Sequence, residues 1–287
     1  IVRRSPDEDI TIDVDDRNTA TITSGVSCFT IIGMDSAEFP ELPKITDADT
    51  IKMPQELLKS MIRQTLFAVA DSTAKPIHQG SLFKIENGNL DVVSVDGYRL
   101  ALRREAINYA NNTEFVVPGK TLIEISKILS GETEDEVSIF FTKNHIVFEF
   151  DDTVVVSRLI EGEYFRIDQM LSSDYETKIQ VNKKELLDCI DRATLLVKES
   201  DKKPIILSIT DDNIELKIQS QIGSMDEEID INKEGKDIMI GFNPRFLIDA
   251  LRVIDDETVD IYLMNPKAPC FIRDLSLIHI SEPTRHL

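Results

Sequence analysis

The sequence predicts an α+β fold in which a domain with two helices packed on antiparallel sheets is repeated. Three observations lead to this fold class. Apolar residues alternate along many short segments, which is the period of a half-buried strand. Four segments instead carry apolar residues at helical spacing. Similar groups of residues also recur along the chain at an offset of nearly 130 residues.

The predicted elements alternate along the whole chain. The strand pattern is clearest in V-S-I-F-F from Val137, H-I-V-F-E-F from His145, T-V-V-V-S-R-L-I from Thr153, I-I-L-S-I from Ile205, I-E-L-K-I from Ile214 and V-D-I-Y-L from Val259. The predicted helices are Gln55–Ala70, Gly119–Leu129, Asn182–Val197 and Asn243–Ile254. Each helix begins near Pro, Gly or Asn, which are residues typical of helix starts. The helices occur in pairs that strands separate.

The two pairs of helices are copies of each other. E-L-L recurs at Glu56 and Glu185, an offset of 129 residues, and K-P-I recurs at Lys75 and Lys203, an offset of 128. T-L-I-E-I-S-K-I-L from Thr121 similarly matches R-F-L-I-D-A-L-R-V-I from Arg245. This period is too long for a solenoid unit and indicates a duplicated α+β domain. The opening residues are expected to be the end of a third copy.

Composition limits the possible functions. The 287 residues include 32 Lys+Arg and 52 Asp+Glu, a net charge of −20, which excludes a simply basic nucleic-acid binder. The predicted helices carry charges of +1, +1, 0 and +1, so +3 together, which leaves −23 on the remaining residues. A basic helix face on an acidic body could tolerate phosphates. The alternative is that these lysines and arginines are ordinary solvated helix residues.

Other classes of protein and of site are disfavoured by residue content. Aromatic residues make up 6% of the chain and Trp is absent, which argues against an aromatic-rich carbohydrate cleft or a multi-base stacking platform. The cysteines, Cys28, Cys189 and Cys270, lack metal or disulfide spacing and are expected to be buried. No apolar run approaches the roughly 18 residues of a membrane span, and the first residues lack a signal-peptide core. We therefore expect a soluble, cytoplasmic protein with no metal and no cofactor.

Both ends of the sequence are unusual. Ile1 is not a start residue, and strand-like sequence begins almost at once, so we expect a missing segment upstream. Residues 275–287 show neither helical nor strand periodicity and read like a translated sequencing adapter. They are expected to be a non-native tail outside the fold. The alternative is a natural polar tail.

The motif S-V-D-G-Y-R-L-A, from Ser94 to Ala101, decides the interpretation. Alone, it is a tight turn between two strands at Asp96 and Gly97. In order along the chain, E-F-P-E-L-P, I-R-Q-T-L-F-A-V-A, D-G-Y-R-L-A, E-G-E-Y-F-R-I, L-L-D-C-I-D-R-A and I-G-F-N-P-R-F-L resemble the bacterial sliding clamp, the β subunit of DNA polymerase III. The resemblance covers about residues 1–274.

The resemblance implies a head-to-tail homodimeric ring of three similar DNA-clamp domains per subunit, with helices lining a hole for duplex DNA. Residues 1–45 would be the end of domain one, 46–172 domain two and 173–274 a truncated domain three. The family is a non-catalytic processivity factor whose retention on DNA is topological. Because most of domain one would be missing, this fragment is expected not to close a ring.

In this family, partner proteins insert a short peptide with apolar anchors into a cleft between domains two and three. Carried over by motif, the cleft takes His78, Val95, Gly97, Tyr98, Arg99, Leu100, Phe165, Met170 and Pro269. The implied partners are the polymerase III alpha and delta subunits and other proteins with a clamp-binding motif. The alternative for each residue is ordinary packing at a domain junction. Since the family's C-terminal residues also line the cleft, this pocket is expected to be incomplete.

The resemblance also assigns residues outside the cleft. The candidates for facing DNA are Lys59, Arg63, Lys120, Lys127, Arg192 and Arg252. The subunit contact of domain three would use Leu195 and Leu196. DNA binding should be weak, because tight phosphate contacts would hinder sliding.

Two other functions are kept as alternatives. One is a non-catalytic duplicated adaptor unrelated to DNA. The other is a carboxylate-dependent hydrolase that uses an acidic pair, such as Asp151-Asp152, Asp211-Asp212 or Asp255-Asp256, as acid and base. Each pair lies in a predicted turn, and neighbouring strand residues point to opposite faces, which argues against catalysis.

Overall fold

The computed structural model describes residues 1–6, 9–39, 48–71, 75–132, 134–167, 170–171, 174–197, 203–273 and 277–284. The chain divides into two compact units, Ile1–Lys44 and Ile45–Leu287. The predicted domain boundaries at 45/46, 172/173 and 274/275 lie outside the described residues, as do Asp274–Ser276 and Arg285–Leu287 of the C-terminal segment. None of the helices in the described ranges combines the length and the apolar character that a membrane crossing requires.

The first unit contains one antiparallel sheet of three strands. They are β1 (Thr11–Val14), β2 (Thr19–Ser24) and β3 (Ser27–Ile32), in the order β1-β2-β3. Cys28 lies on β3 and is exposed, so the prediction that all three cysteines are buried is wrong for this residue. Every residue of β3 except Ser27 is exposed.

The second unit contains two copies of one element order, strand-helix-four strands-helix-three strands. The first copy comprises β4 (Asp49–Pro54), α1 (Gln55–Thr65), β5 (Gly80–Glu86), β6 (Asn89–Val95), β7 (Arg99–Ala106), β8 (Thr113–Pro118), α2 (Gly119–Ile128), β9 (Glu136–Phe141), β10 (His145–Phe150) and β11 (Thr153–Arg158). The second comprises β12 (Thr177–Asn182), α3 (Lys183–Thr194), β13 (Ile205–Thr210), β14 (Asn213–Gln219), β15 (Ser224–Gly235), β16 (Ile238–Phe242), α4 (Pro244–Val253), β17 (Thr258–Leu263), β18 (Cys270–Arg273) and β19 (Leu277–Ser281).

Strand pairing repeats between the copies. Within the first copy, β4 pairs with β9, β9 with β10 and β10 with β11, and in the second copy β12 pairs with β17, β17 with β18 and β18 with β19. The other four strands of the first copy pair as β8-β5-β6-β7, and those of the second pair as β16-β13-β14-β15. All of these pairs are antiparallel. The predicted α+β fold of repeated domains is therefore confirmed, with the six predicted strand segments in β9, β10, β11, β13, β14 and β17.

The helices follow the predicted starts closely. The side chains of Asn182 and Asn243 accept hydrogen bonds from the backbone N–H of Glu185 and Arg245, both at 3.1 Å, and so cap α3 and α4. The prediction for α1 is too long. The α-helix ends at Thr65 and a 3₁₀ turn, Leu66–Ala68, follows it.

Each copy buries its own apolar core beneath its helices. In the first copy, Leu58 and Ile62 of α1 and Leu122 of α2 have no exposed surface. In the second, Ile190 of α3 and Leu251 of α4 occupy the matching place. The helices form one row, since α1 contacts α2 and α4, and α4 contacts α3.

The segment at residues 277–281 forms a strand, β19, which corrects the expectation that the C-terminal residues lie outside the fold. β19 lies between β18 and β7, and so joins the two copies in one 12-stranded sheet. Both faces of β19 are covered, and Ile278 is its only residue that is not buried. A strand buried on both faces has no polar alternation, so period-2 analysis does not detect it. The adapter origin of residues 275–287 stays a prediction.

Candidate functional site

A third apolar cluster fills the junction between the two copies. We call it the junction cluster, and its buried members are Ile77, Leu82, Val93, Val95, Leu100, Leu102, Val116, Tyr164, Ile167, Phe271 and Ile280. The members come from strands β5 to β8 of the first copy and the 3₁₀ turn before β5, from the connection between the copies, and from β18 and β19. The junction is therefore a packed apolar core that both repeats build.

Three of the predicted cleft residues belong to this cluster or pack on it. Val95 is 6% exposed and Leu100 only 1%, so their side chains form its interior. Met170 is half-buried and packs against the cluster from outside. Met170 is thus a candidate wall residue that a ligand could reach, whereas Leu100 is a core residue.

The turn that precedes Leu100 is fixed by Asp96. Its Oδ1 accepts hydrogen bonds from the backbone N–H groups of Tyr98, at 3.0 Å, and Arg99, at 3.1 Å. Gly97 has φ +96°, a left-handed conformation that favours glycine, and no atom lies within 4 Å of the position that a Cβ would take. The turn is therefore rigid in its backbone and open on its outer side.

Arg99 is fully engaged by its neighbours. Its guanidinium contacts Asp96 at 2.8 Å and Asp249 of α4 at 2.6 Å, and it donates to the carbonyl oxygen of Phe67 at 2.9 Å. It also lies 4.8 Å from the ring centroid of Phe246. Because these partners use its donors in several directions, Arg99 braces the junction between the two copies.

Tyr98 is the exposed part of the turn. Its side chain is 60% exposed, and its ring stacks on Phe246 with centroids 6.0 Å apart and an interplanar angle of 28°. The Tyr98–Phe246 pair therefore joins the first copy to α4 of the second. It also leaves an aromatic surface open to solvent.

The residues after β19 are hydrogen-bonded to the Tyr98 turn and to β16. The backbone N–H of Glu282 donates to the Tyr98 carbonyl oxygen at 2.9 Å, and that of Thr284 to the Gly241 carbonyl oxygen at 2.8 Å. Pro283 between them is buried. The described residues 282–284 therefore connect the turn to the end of β16. That the pocket is incomplete stays a prediction.

The remaining predicted cleft residues are more peripheral. His78 lies half-buried in a 3₁₀ turn, with its ring centroid 5.8 Å from that of Tyr164, and burial, with a smaller contribution from Lys75, lowers its pKa. Phe165 is 43% exposed and Pro269 half-buried, and among the described residues neither is a member of the junction cluster. The structure thus gathers only part of the predicted set.

Several residues of the site were missed by the sequence analysis. Tyr164 lies at the centre of the junction cluster, with its hydroxyl 3.2 Å from the Gly80 carbonyl oxygen and 3.3 Å from that of Val93. Burial raises its pKa, which keeps the hydroxyl protonated. Because Tyr164 lies inside the motif E-G-E-Y-F-R-I, the sequence could have identified it as a site residue. Asp249 and Phe246 gave no such signal, because each lies about 150 residues from its partner in the turn.

An open groove of about 810 Å³ extends from the turn along the helix row. Its lining includes Phe67, Tyr98, Arg99, Lys120 and Ile123. Within the described part of the chain, no group of three or more His, Cys, Asp or Glu side chains could hold a metal ion. The groove therefore presents apolar surface and a few polar groups to a ligand.

Most of the predicted DNA-facing cations have partners. Lys59 donates to the Leu129 carbonyl oxygen at 2.8 Å, and the other pairs are Arg63–Asp255 at 2.7 Å, Lys127–Glu124 at 2.8 Å, Arg252–Asp191 at 3.2 Å, and Arg192 with Glu227. Lys120, at the start of α2, is exposed and forms no ion pair or hydrogen bond with the described residues. The helix row therefore has fewer cations available to contact phosphates than its number of lysines and arginines suggests.

The predicted subunit-contact residues follow α3. Leu195 is 78% exposed, whereas Leu196 packs against the core of the second copy. Leu195 is thus the more accessible of the two, and the subunit contact of both residues stays a prediction.

Comparison with known proteins gives one consistent result. The family models for the central and C-terminal domains of the DNA polymerase III beta subunit match residues 52–165 and 168–281. The beta sliding clamp of Staphylococcus aureus (strain N315) is 33% identical over 291 residues, which is 99% of this chain and 77% of the relative. That of Bacillus subtilis (strain 168) is 34% identical over 293 residues, with the same coverage.

Solved structures agree with the sequence relatives. A crystal structure assigned to a DNA polymerase III beta subunit from Eubacterium rectale ATCC 33656 has a TM-score of 0.92 and 55% identity, covering 99% of this chain and 78% of the other. The DNA polymerase sliding clamp from Bacillus subtilis has a TM-score of 0.92 and 33% identity, covering 99% and 77%. The chain belongs to the family of beta sliding clamps, the beta subunits of DNA polymerase III.

Proposed function

We propose that this chain acts as a non-catalytic sliding clamp whose junction between the two copies receives an apolar peptide segment of its partners. The observation that carries the proposal is the junction cluster, with half-buried Met170 packed against it and the exposed Tyr98 in the turn that leads to Leu100. Apolar side chains that enter a concave apolar surface are a common mode of short-peptide recognition. The polymerase III alpha and delta subunits and other proteins with a clamp-binding motif are the proposed partners.

The charge distribution supports weak contact with duplex DNA. The four helices, taken with their observed bounds, keep a net charge of +3 within a chain of −20. Most of their cations are already paired with acids, so tight phosphate binding is not expected. In the proposed ring, which needs a partner subunit at Leu195, the helix row would face the DNA.

The acidic pairs give little support to a hydrolase. Asp255 is held by Arg63 at 2.7 Å and by Gln64 at 3.1 Å. Asp151 and Asp211 have positive φ and lie in turns between antiparallel strands. A turn carboxylate with this backbone conformation is typical of strand connections.

Peptide binding tests the proposal directly. A fluorescent peptide with the apolar anchors of a clamp-binding motif would be titrated against the chain and its Met170→Ala variant by anisotropy. Removing one apolar wall should cost about 1–2 kcal/mol, or roughly ten- to thirtyfold in affinity. Thermal unfolding should change little, because Met170 packs on the outside of the cluster.

Val154→Ala is the matched control. Val154 is an exposed aliphatic residue, 47% accessible, on β11 of the separate four-stranded sheet. Its truncation should leave peptide affinity unchanged. Equal affinities of the Met170→Ala variant and the unmodified chain would contradict the proposed site.

A further inference from the structure

A second cavity opens at the edge of the 12-stranded sheet. β8 is the terminal strand of this sheet, with β5 as its neighbour. A cavity of about 280 Å³ lies between β8 and the segment that follows β11, and the apolar part of its lining is Leu82, Phe115, Val116, Leu159, Ile160 and Tyr164. This volume is just below the roughly 300–1,000 Å³ of small-molecule sites, so the cavity suits one or two side chains. None of the predicted cleft residues lines it.

The chain itself uses part of the outer edge of β8. The Ile160 N–H donates to the Val116 carbonyl oxygen at 2.9 Å, and the two residues form an isolated antiparallel bridge. Because the backbone groups of alternate residues in an antiparallel strand point to the same side, the N–H and C=O of Glu114 also point away from β5. No described residue forms a hydrogen bond with these two groups. Glu114 is therefore an open strand position beside the cavity.

The charged residues of the cavity are mostly acidic. Glu114 and Glu161 line it together with one cation, Lys143, so the three side chains carry a net charge of −1. All three are exposed, and none forms an ion pair with a described residue. A basic side chain of a ligand would therefore meet a net negative rim.

We propose that this edge binds an extended peptide segment of a partner protein. The segment adds to β8 at Glu114, places one apolar side chain in the cavity and carries basic residues two positions from that anchor. In this mode of recognition, main-chain hydrogen bonds supply affinity and pockets for alternate side chains supply specificity. Side chains two positions apart share a face of a strand, as Glu114 and Val116 do, so the basic residues lie on the side of the acidic rim.

Three labelled peptides test the proposal. Each is a short threonine-rich strand with a central Leu, and the residues two positions before and after that Leu are both Lys, both Ser or both Asp. Placing the charges on both sides makes the design independent of strand direction. Fluorescence anisotropy should rank Lys above Ser and Ser above Asp, with about two- to fivefold between successive peptides. Replacing the central Leu of the Lys peptide by Ser should weaken binding about tenfold.

Variants of Glu114 separate the strand edge from the charge. Glu114→Pro removes the outward N–H, and edge strands tolerate proline, so every peptide should bind about tenfold more weakly or not at all. Glu114→Gln keeps the N–H and should retain binding while it reduces the preference for Lys over Asp. Glu149→Gln removes an exposed carboxylate from β10 of the separate four-stranded sheet and should behave like the unmodified chain. Thermal unfolding verifies that each variant is folded.

Hydrogen–deuterium exchange of the unmodified chain, followed by NMR, locates the bound peptide without any substitution. The Glu114 amide should exchange about tenfold more slowly when the Lys peptide is present at about ten times its Kd. The Glu149 amide should exchange at the same rate with and without the peptide.

Three outcomes would overturn the proposal. The first is the absence of saturable binding up to about 1 mM peptide. The second is equal affinity of the unmodified chain and Glu114→Pro, which would place the peptide elsewhere. The third is protection of the Glu114 amide that rises with chain concentration in the absence of peptide, which would make a second copy the occupant of the edge. None of them bears on the proposed function, because the peptide test of the cleft depends on Met170 rather than on β8.

Discussion

Arg99 of β7 and Asp249 of α4 form a 2.6 Å ion pair between residues that lie 150 positions apart and belong to different copies of the repeat. The Arg99 side chain is 14% exposed and that of Asp249 37%, so water screens the pair only in part. The same guanidinium holds the Phe67 carbonyl oxygen and lies over the Phe246 ring. This contact fixes the Tyr98 turn against the second copy.

Arg99→Lys should destabilise the chain by about 1–3 kcal/mol. Lysine keeps the charge but cannot bond Asp96, Asp249 and a carbonyl oxygen with one planar group. Urea unfolding would measure the change. Arg166→Lys is the control, because its 3.5 Å pair with Glu163 is about four-fifths exposed on both sides and should contribute at most about 0.5 kcal/mol. Equal effects of the two substitutions would show that Arg99 does not brace the junction.

Gly97 and Gly131 form a matched pair for testing the turn. At both glycines the position that a Cβ would take has no atom within 4 Å, but only Gly97 has a positive φ, +96°. Gly97→Ala should therefore lower the free energy of unfolding by about 1–2 kcal/mol through backbone strain alone. Gly131→Ala should be neutral or slightly stabilising. Thermal unfolding of both variants provides the measurement, and a neutral Gly97→Ala would refute the strained turn.

Lys120 should contribute more to DNA binding than the paired helix cations. It is exposed and has no partner among the described residues, whereas Arg252 is held by Asp191 at 3.2 Å. Lys120→Ala should weaken duplex binding at low salt and reduce the slope of log K against log salt by about 1. Arg252→Ala should change the slope less. Anisotropy with a labelled duplex at several salt concentrations measures the slope for both variants. A larger effect of Arg252→Ala than of Lys120→Ala would contradict the greater contribution of Lys120 to DNA binding.

The sequence was sufficient to predict the repeated α+β architecture because each half-buried strand and each amphipathic helix leaves its own local period. The turn at Asp96 and Gly97 was predictable for the same reason, since its residue types determine its conformation. β19 was not predictable, because a strand covered on both faces reads as the short apolar run L-I-H-I.

The site could be predicted only where a motif is local. The D-G-Y-R-L-A segment identified Tyr98 and Leu100, but only the burial seen in the structure shows that Leu100 lies in the core while Tyr98 is exposed. Asp249 and Phe246 reach the turn through tertiary packing of α4. No spacing rule connects residues so far apart.

His279 should make stability depend on pH between about 4 and 6.5. Its ring is 2% exposed on β19, with Nε2 3.0 Å from the Gln64 carbonyl oxygen and Nδ1 without a described partner. Burial lowers its pKa to about 4, and the bond to Gln64 opposes this shift only in part. Because the unfolded chain binds the proton near pH 6.5, the folded state loses stability as pH falls below that value, by about 3 kcal/mol in total once pH 4 is reached.

The measurement is the free energy of urea unfolding at pH 7.5 and at pH 4.5 for the unmodified chain and for His279→Gln. Carboxylates also titrate at the lower pH, but they are common to both proteins, so the difference between the two pH dependences isolates His279. The variant should lose less stability on acidification, by about 2–3 kcal/mol. His78→Gln serves as the control, because the His78 ring is only half-buried and its pKa is lowered less. Parallel pH dependences of the unmodified chain and His279→Gln would mean that β19 does not bury a neutral imidazole against α1.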